Sequence, residues 1–242
     1  MSDICELWPG GPVFSQAEHF RLGTDSVLLA DFVNMSSLRR GIDLGCGSGA
    51  IALLLLARDA RVSVTGLELL PEAAEMAAEN MARNGFSDRG PVVTGDIRRC
   101  RELFQSGEFD FAAANPPYFP AGSGPSSPSG DRAGAREEAS CTLSELCRAA
   151  AYLVRTGGGF FVVYRPERLS ELFCAMTAAG IEPKRLRLVE HTAGAAPSLV
   201  LAEGRRGGRP GLKIEPPLVL RRPDGGETGE VRRIYHHDAE AF

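Results

Sequence analysis

Asn115-Pro116-Pro117-Tyr118 stands between an apolar run, Phe109 to Ala114, and a stretch rich in Gly, Ser and Pro. Proline cannot donate to a strand ladder, so Pro116 predicts the end of a strand. The residue before a proline is held extended. Asn115 and Tyr118 are therefore expected at a strand's carboxyl end on a stiffened backbone, a place suited to chemistry. Upstream, Asp43-Leu44-Gly45-Cys46-Gly47-Ser48-Gly49-Ala50 separates an apolar run from a helix-like one. Gly45, Gly47 and Ala50 fit the spacing of a dinucleotide-cradling loop, so the glycines alone do not select a ligand. Three carboxylates, Asp43, Glu68 and Asp96, lie at the ends of successive apolar runs.

Those carboxylates discriminate between ligands. Glu68 is expected to hold ribose hydroxyls, whatever else the nucleoside carries. Asp43, at the mouth of the loop, opposes a pyrophosphate arriving at a helix N-terminus, where anions are otherwise favoured. A nucleoside with an ammonium group and no phosphate suits it instead, and S-adenosylmethionine is such a ligand. Asp96, in "TGDI", adds a carboxylate or backbone contact for an adenine amino group.

The elements that must position these residues alternate short apolar runs with amphipathic stretches, the pattern of β-α-β units on a parallel sheet. Strands are expected at 41–45, 62–68, 91–96, 109–115 and 160–164, with helices at 48–60, 71–85 and 166–180. The helix at 71–85 has Pro71 first and Asn84-Gly85 as its stop. A helix over 142–155 is expected to be stopped by Gly157-Gly158-Gly159. Residues 20–33 predict a helix capped by Thr24 or Asp25. "KRLRLVEH" and "PSLVLAEG" suggest a closing antiparallel pair. We expect one α/β domain: an N-terminal extension with a capping helix (1–40), a core (41–204) and a basic tail (205–242) that packs loosely. "AGSGPSSPSGDRAG" (121–134) is low in complexity and expected to be flexible.

Composition sets bounds. The chain has 242 residues, 43% hydrophobic and 24% charged, with a net charge of −4, which is ordinary for a globular protein. No apolar run approaches the roughly 20 residues that span a bilayer, and the N-terminus lacks a signal-peptide pattern, so a cytoplasmic location is expected. The six cysteines form no C-x-x-C pair and are expected to be free thiols. Charge is uneven: residues 1–150 carry 13 Arg against 20 acids, whereas residues 151–242 carry 14 basic groups against 11 acids. The basic half, with "GRRGGR", "LRRP" and "VRRIY", is either a solvated surface or a face for a polyanion. Trp8 stacks on a base or covers a sheet edge. His236-His237 could hold a metal, but adjacent side chains diverge, and His19 and His191 are expected at the surface or in packing.

"DLGCGSG", "GLE", "GD" and "NPPY", in this order at strand ends, resemble the class I S-adenosylmethionine-dependent methyltransferases. That resemblance implies a Rossmann-like domain with a seven-stranded, mostly parallel sheet, helices on both faces and an antiparallel last strand. The flanks "FSQAEHFRLGTDSVLLADFV" and "PPLVLRRPDGGETGEVRRIYH" resemble, nearly end to end, bacterial tRNA(Val) adenine-N6 methyltransferases, which modify the base beside the anticodon. On this resemblance Arg21, Gly23 and Asp25 help close over the cofactor. Asp43, Gly45, Cys46, Gly47, Glu68, Leu69, Asp96, Ile97 and Asn115 line its site, and Asn115, Pro116, Pro117 and Tyr118 form the catalytic set. The chain departs from the family pattern where Glu137 replaces a His, and where "GGETGEV" lacks an aromatic before its Thr.

An exocyclic amine on a nucleobase is a weak nucleophile, because its lone pair is delocalised into the ring. Asn115 can accept one N–H through its side-chain oxygen, the Pro116 carbonyl can accept the other, and Tyr118 can stack on the base. Positioning and desolvation then matter more than a strong base, and the base must leave its stack. The same tetrapeptide serves Gln or Asn amide methylation in proteins and guanine-N2 methylation in RNA. The roughly 40-residue N-terminal segment is too short for the recognition domain of the protein-amide enzymes. A non-catalytic binding module is disfavoured by the intact loop, acids and tetrapeptide. The expected partner is a structured RNA such as tRNA, with no membrane and no obligatory protein subunit. No metal is expected, and the 121–134 loop is expected to order on RNA binding.

Overall fold

A computed structural model describes residues 3–16, 22–116 and 141–237. The alternating pattern resolves into β-α-β units. A hairpin of β1 (Asp3–Glu6) and β2 (Val13–Gln16) precedes α1 (Thr24–Phe32). Then come β3 (Arg40–Leu44), α2 (Ala50–Arg58), β4 (Ser63–Glu68), α3 (Pro71–Arg83) and β5 (Val92–Thr94). A 3-10 turn (Ile97–Arg99) leads through α4 (Cys100–Leu103) to β6 (Phe109–Ala114). Beyond residue 140 follow α5 (Leu143–Leu153), β7 (Val154–Tyr164), α6 (Leu169–Ala178), β8 (Ile181–Thr192) and β9 (Pro197–Arg206). Last are β10 (Lys213–Ile214), β11 (Leu218–Arg221) and α7 (Gly229–Ile234).

The strands pair in the order β10-β8-β9-β7-β6-β3-β4-β5, with β11 also on β8. β3, β4, β5, β6 and β7 run parallel, and β9 is antiparallel to both its neighbours. Among the described residues the sheet has nine strands rather than the expected seven. The additional two, β10 and β11, pair parallel to β8 and occupy its outer edge. The C-terminal segment is accordingly not loose: Leu218, Val231 and Ile234 are buried in the same core as Phe14 and Leu28. β9 itself runs to Arg206, across the boundary expected at residue 204.

Helices cover both faces. α1 and α2 pack Leu28, Leu29, Leu53 and Leu56 against Phe111 and Phe161 on one side. α5 and α6 pack Leu146, Leu153, Leu172 and Met176 against Phe160 and Val162 on the other. Burying a Leu or Phe side chain contributes about 1.5–3 kcal/mol each, so the apolar strand interiors fix which way each strand faces. Among the described residues no helix is long and apolar enough to cross a membrane.

Two local expectations change. The helix after residue 142 ends at Leu153, and β7 runs straight through Gly157-Gly158-Gly159. A Cβ on Gly158 would collide with the Asp110 carbonyl of the neighbouring strand, so the glycines permit close strand approach instead of stopping a helix. The α1 N-cap is Gly23, with no side-chain cap bond from Thr24 or Asp25. α1 is instead anchored from other elements. Arg58 donates to the carbonyls of Ala30, Asp31 and Val33 at its C-terminal end, and Arg233 of α7 pairs with Asp31 at 3.0 Å.

Candidate active site

Strand order reverses at β3, with β4 on one side and β6 on the other. The crevice at the carboxyl ends there is where open α/β sheets hold ligands. Asp43 is in register with Gly66 of β4 and Ala113 of β6. Asn115 follows the end of β6 and the glycine loop follows the end of β3, so both lie at the carboxyl edge of adjacent strands. The loop folds back over β4, as the Gly45 and Cys46 N–H groups both donate to the Leu67 carbonyl, at 2.8 and 3.1 Å. Gly45, Gly47 and Gly49 all have positive φ, of 72°, 55° and 84°, a region costly for side-chain-bearing residues. Gly49, just before Ala50, is the glycine of this loop that lies against α3. A Cβ there would lie 2.9 Å from Met81 Cε and 3.2 Å from Ala77 Cβ of α3.

Asp43 is fully buried, and among the described residues neither of its carboxylate oxygens has a hydrogen-bond partner. Burial, reinforced by the nearby Glu68 charge, pushes its pKa up to about 7; the backbone N–H of Ala52 works the other way without forming a bond that satisfies it. A buried carboxylate without a partner is costly, and such groups cluster at functional sites. Glu68 is also buried, and its carboxylate braces the loop. It accepts the Gly47 N–H at 2.8 Å and the Leu70 N–H at 3.0 Å. Cys46 is buried beside both acids, and its thiol is pushed well up by burial and by their charges.

Asp96 caps the 3-10 turn by accepting the Arg98 N–H at 2.8 Å, and its carboxylate takes the Arg98 guanidinium at 2.6 Å. That hydrogen bonding holds its pKa below the ordinary carboxylate value. Ile97 and Leu69 are half-buried along the rim, with Ile97 Cδ1 3.9 Å from the position of a Cβ on Gly45. Gly23 is exposed and Asp25 half-buried at the start of α1. Arg21, Pro117, Tyr118, the 121–134 loop and Glu137 lie outside the described residues.

Pro116 follows β6, which ends at Ala114 as expected. The Asn115 side-chain amide donates to Ser26 Oγ at 3.1 Å. Neither Ser26 nor Asn80 was evident from the sequence. Asn80 is fully buried and accepts the Ser15 N–H at 2.7 Å. It also donates to the carbonyls of Ser15 and Ser48, both at 2.9 Å. It thereby ties β2 to the glycine loop. Asn84, one turn on, repeats the pairing with Val13 at 2.8 and 2.7 Å. Two asparagines at i and i+4 thus serve as a strand edge for β2, and that spacing on one helix face is the signal the sequence carried.

The basic C-terminal half is largely engaged within the chain. Arg185 pairs with Glu203 and Glu215, Arg187 with Glu230, Arg221 with Glu227 and Arg222 with Asp224. Trp8 stacks on His236, with ring centroids 4.0 Å apart, and His237 meets Glu227 at 2.7 Å. The Trp8–His236 stack thus ties the N-terminal hairpin to the segment after α7, whereas His237 is held within the C-terminal segment. Among the described residues no cluster of His, Cys, Asp and Glu could hold a metal ion.

A parallel sheet with this strand order, one antiparallel strand and a glycine loop at the switch point defines a class I methyltransferase fold. The solved structure of Atu636 from Agrobacterium tumefaciens, described as a predicted O-methyltransferase, superposes with a TM-score of 0.73. It is 22% identical and covers 88% of this chain and 96% of that one. The methyltransferase small domain model matches residues 6–175, and the chain belongs to that family. A Tolumonas auensis protein named tRNA1(Val) (adenine(37)-N6)-methyltransferase is 33% identical over 87% of this chain and 86% of its own length. One of the same name from Escherichia coli O157:H7 is 32% identical over 84% and 82%.

Proposed function

We propose that the chain transfers a methyl group from S-adenosylmethionine to N6 of an adenine in tRNA, as the names of its relatives suggest. The observation that carries the reading is Asn115-Pro116 at the carboxyl edge of the strand beside β3, whose buried carboxylate, Asp43, lacks a partner among the described residues. The cofactor supplies a methyl group activated on a sulfonium. Asp43 fits its ammonium group, because a cation is the partner that a buried, unpaired carboxylate lacks. Glu68 would hold the ribose hydroxyls while bracing the loop. The adenine would lie against Leu69 and Ile97, with Asp96 at its edge. Arg21, Gly23 and Asp25 would close the site from the N-terminal side.

The target amine is held rather than deprotonated. Asn115 donates its amide nitrogen to Ser26, and its side-chain oxygen would accept one amine N–H. The Pro116 carbonyl would take the other N–H and Tyr118 would stack on the ring, so that positioning rather than a strong base carries the step. A tRNA enzyme of this kind works in the cytoplasm. The test is methyl transfer from radiolabelled S-adenosylmethionine into bulk unmodified tRNA, followed by nucleoside analysis. Labelled N6-methyladenosine is expected. Label on guanosine would move the acceptor, and label only in a protein fraction would replace the reading with amide methylation.

A further inference from the structure

The RNA reading requires a surface for phosphates, and the C-terminal arginines mostly face carboxylates of their own chain. A different place has guanidinium groups to offer. "IRRCRE", residues 97–102, folds as the 3-10 turn and α4, and it faces α5 across a groove of about 260 Å³. Arg98, Arg101, Arg148 and Tyr152 line the groove, and Ile97 forms its rim next to the glycine loop.

The arginines here divide into two kinds. Arg98 is matched by Asp96, and its neighbour Arg99 is matched by Glu102. Among the described residues neither Arg101 nor Arg148 forms a salt bridge, although the Glu145 carboxyl is held below its ordinary pKa by the Thr142 hydrogen bonds and in part by the Arg148 charge. Arg101 lies over the Tyr152 ring, 4.8 Å from its centroid. The phenol is itself fixed by donating to the Phe104 carbonyl at 3.2 Å. Stacking holds the guanidinium plane while leaving its N–H fork able to meet an oxyanion. Arg148 uses only Nε, donating to the Ser144 carbonyl at 3.2 Å. The one acid lining the groove, Glu145, is occupied as a cap: it accepts the Thr142 N–H at 2.8 Å and the Thr142 hydroxyl at 2.7 Å.

We infer that this groove binds the phosphodiester backbone of the RNA substrate, through Arg101 and Arg148, beside the cofactor pocket. The inference rests on the RNA reading above. Two forked donors on neighbouring elements suit successive phosphates of a strand, and the rim at Ile97 leads from there to Gly45 of the glycine loop. Nothing in these contacts reads a base, so the groove contributes affinity and register rather than sequence choice.

The test compares full-length wild type with Arg101→Gln/Arg148→Gln, using unmodified tRNA at several KCl concentrations. The groove variant should bind RNA about tenfold more weakly at low salt, with the slope of log affinity against log salt reduced by about one to two. Its S-adenosylmethionine affinity, read by calorimetry, should be unchanged. Arg101→Lys/Arg148→Lys should retain most of the salt slope, which separates lost charge from lost fold. Arg221→Gln/Arg222→Gln should leave the slope as in wild type. Equal RNA affinity and slope in wild type and the groove variant would overturn the groove while leaving the methylation reading standing. Failure of wild type to bind RNA at all would remove both.

Discussion

Asn115, at the end of β6, donates its side-chain amide to the Ser26 hydroxyl on α1 at 3.1 Å, across 89 residues of chain. The bond turns a residue on a proline-stiffened strand end into one braced from two elements. Asn115→Ala should lower turnover by about a thousandfold, as loss of a preorganised polar group does. S-adenosylmethionine affinity should stay within a fewfold of wild type. Ser26→Ala should lower kcat by about tenfold, since a small misplacement costs rate more than binding, and Ser26→Thr should recover most of it. Steady-state methyl transfer with calorimetric cofactor binding checks both. Full activity in Asn115→Ala would dismiss the amine-positioning role.

Asp43 makes a prediction about pH. Its pKa is raised from 3.8 to about 7 by burial, so the folded state holds the proton more tightly than the unfolded chain. Folding stability should therefore fall as pH rises from about 4 to about 7 and level off above. The full span is on the order of 4 kcal/mol if the unfolded chain titrates normally. Cofactor affinity should move the opposite way, strengthening up to about pH 7 and releasing a proton below it. Asp43→Asn should be more stable than wild type at pH 8 by urea unfolding, yet bind S-adenosylmethionine at least tenfold more weakly and without that pH dependence. Equal stability of the two proteins at pH 8 would mean that the carboxylate carries no strain.

Asn80 and Asn84 separate structural from site support. Asn80→Ala leaves the Ser15 N–H and the carbonyls of Ser15 and Ser48 without that partner in a buried setting. A loss of about 3 kcal/mol is expected. Because Ser48 belongs to the glycine loop, cofactor affinity should fall as well. Asn84→Ala removes a similar pairing with Val13 but touches no loop residue. It should destabilise by about 1–2 kcal/mol and leave cofactor affinity unchanged. Denaturant midpoints and calorimetry on the two variants decide it.

The strand ends and the glycine loop were legible because proline, positive-φ glycine and apolar alternation act locally. Pro116 ends β6 wherever the rest of the chain goes. The parallel core followed from the same runs, as did the closing antiparallel pair of β8 and β9. What escaped were relations between distant segments: the asparagines of α3 pairing with β2, Ser26 meeting Asn115, and two short strands joining β8. The glycines of β7 misled for the same reason. Gly158 is small because Asp110 of another strand passes beside it, and no local rule carries that contact. Charge left two readings of the basic half open for the same reason, since a run of arginines does not reveal which carboxylates will face it.

Gly49 and Gly85 share a backbone conformation but not a neighbourhood, which makes them a matched test of the loop. Their φ angles are 84° and 70°. A Cβ at Gly85 meets nothing within 4 Å, whereas at Gly49 it meets Met81 and Ala77. Gly85→Ala should therefore lose only the backbone term, about 1 kcal/mol. Gly49→Ala should lose that plus the cost of overpacking α2 against α3, about 3 kcal/mol in all. The Gly49 N–H also donates to the Cys46 carbonyl at 2.8 Å, closing the turn that presents Gly47 to Glu68. A shifted Gly49 should reopen that turn, so Gly49→Ala should weaken S-adenosylmethionine binding while Gly85→Ala should not. If both variants lose the same stability and neither loses cofactor, the helix contact at Gly49 is incidental to the site.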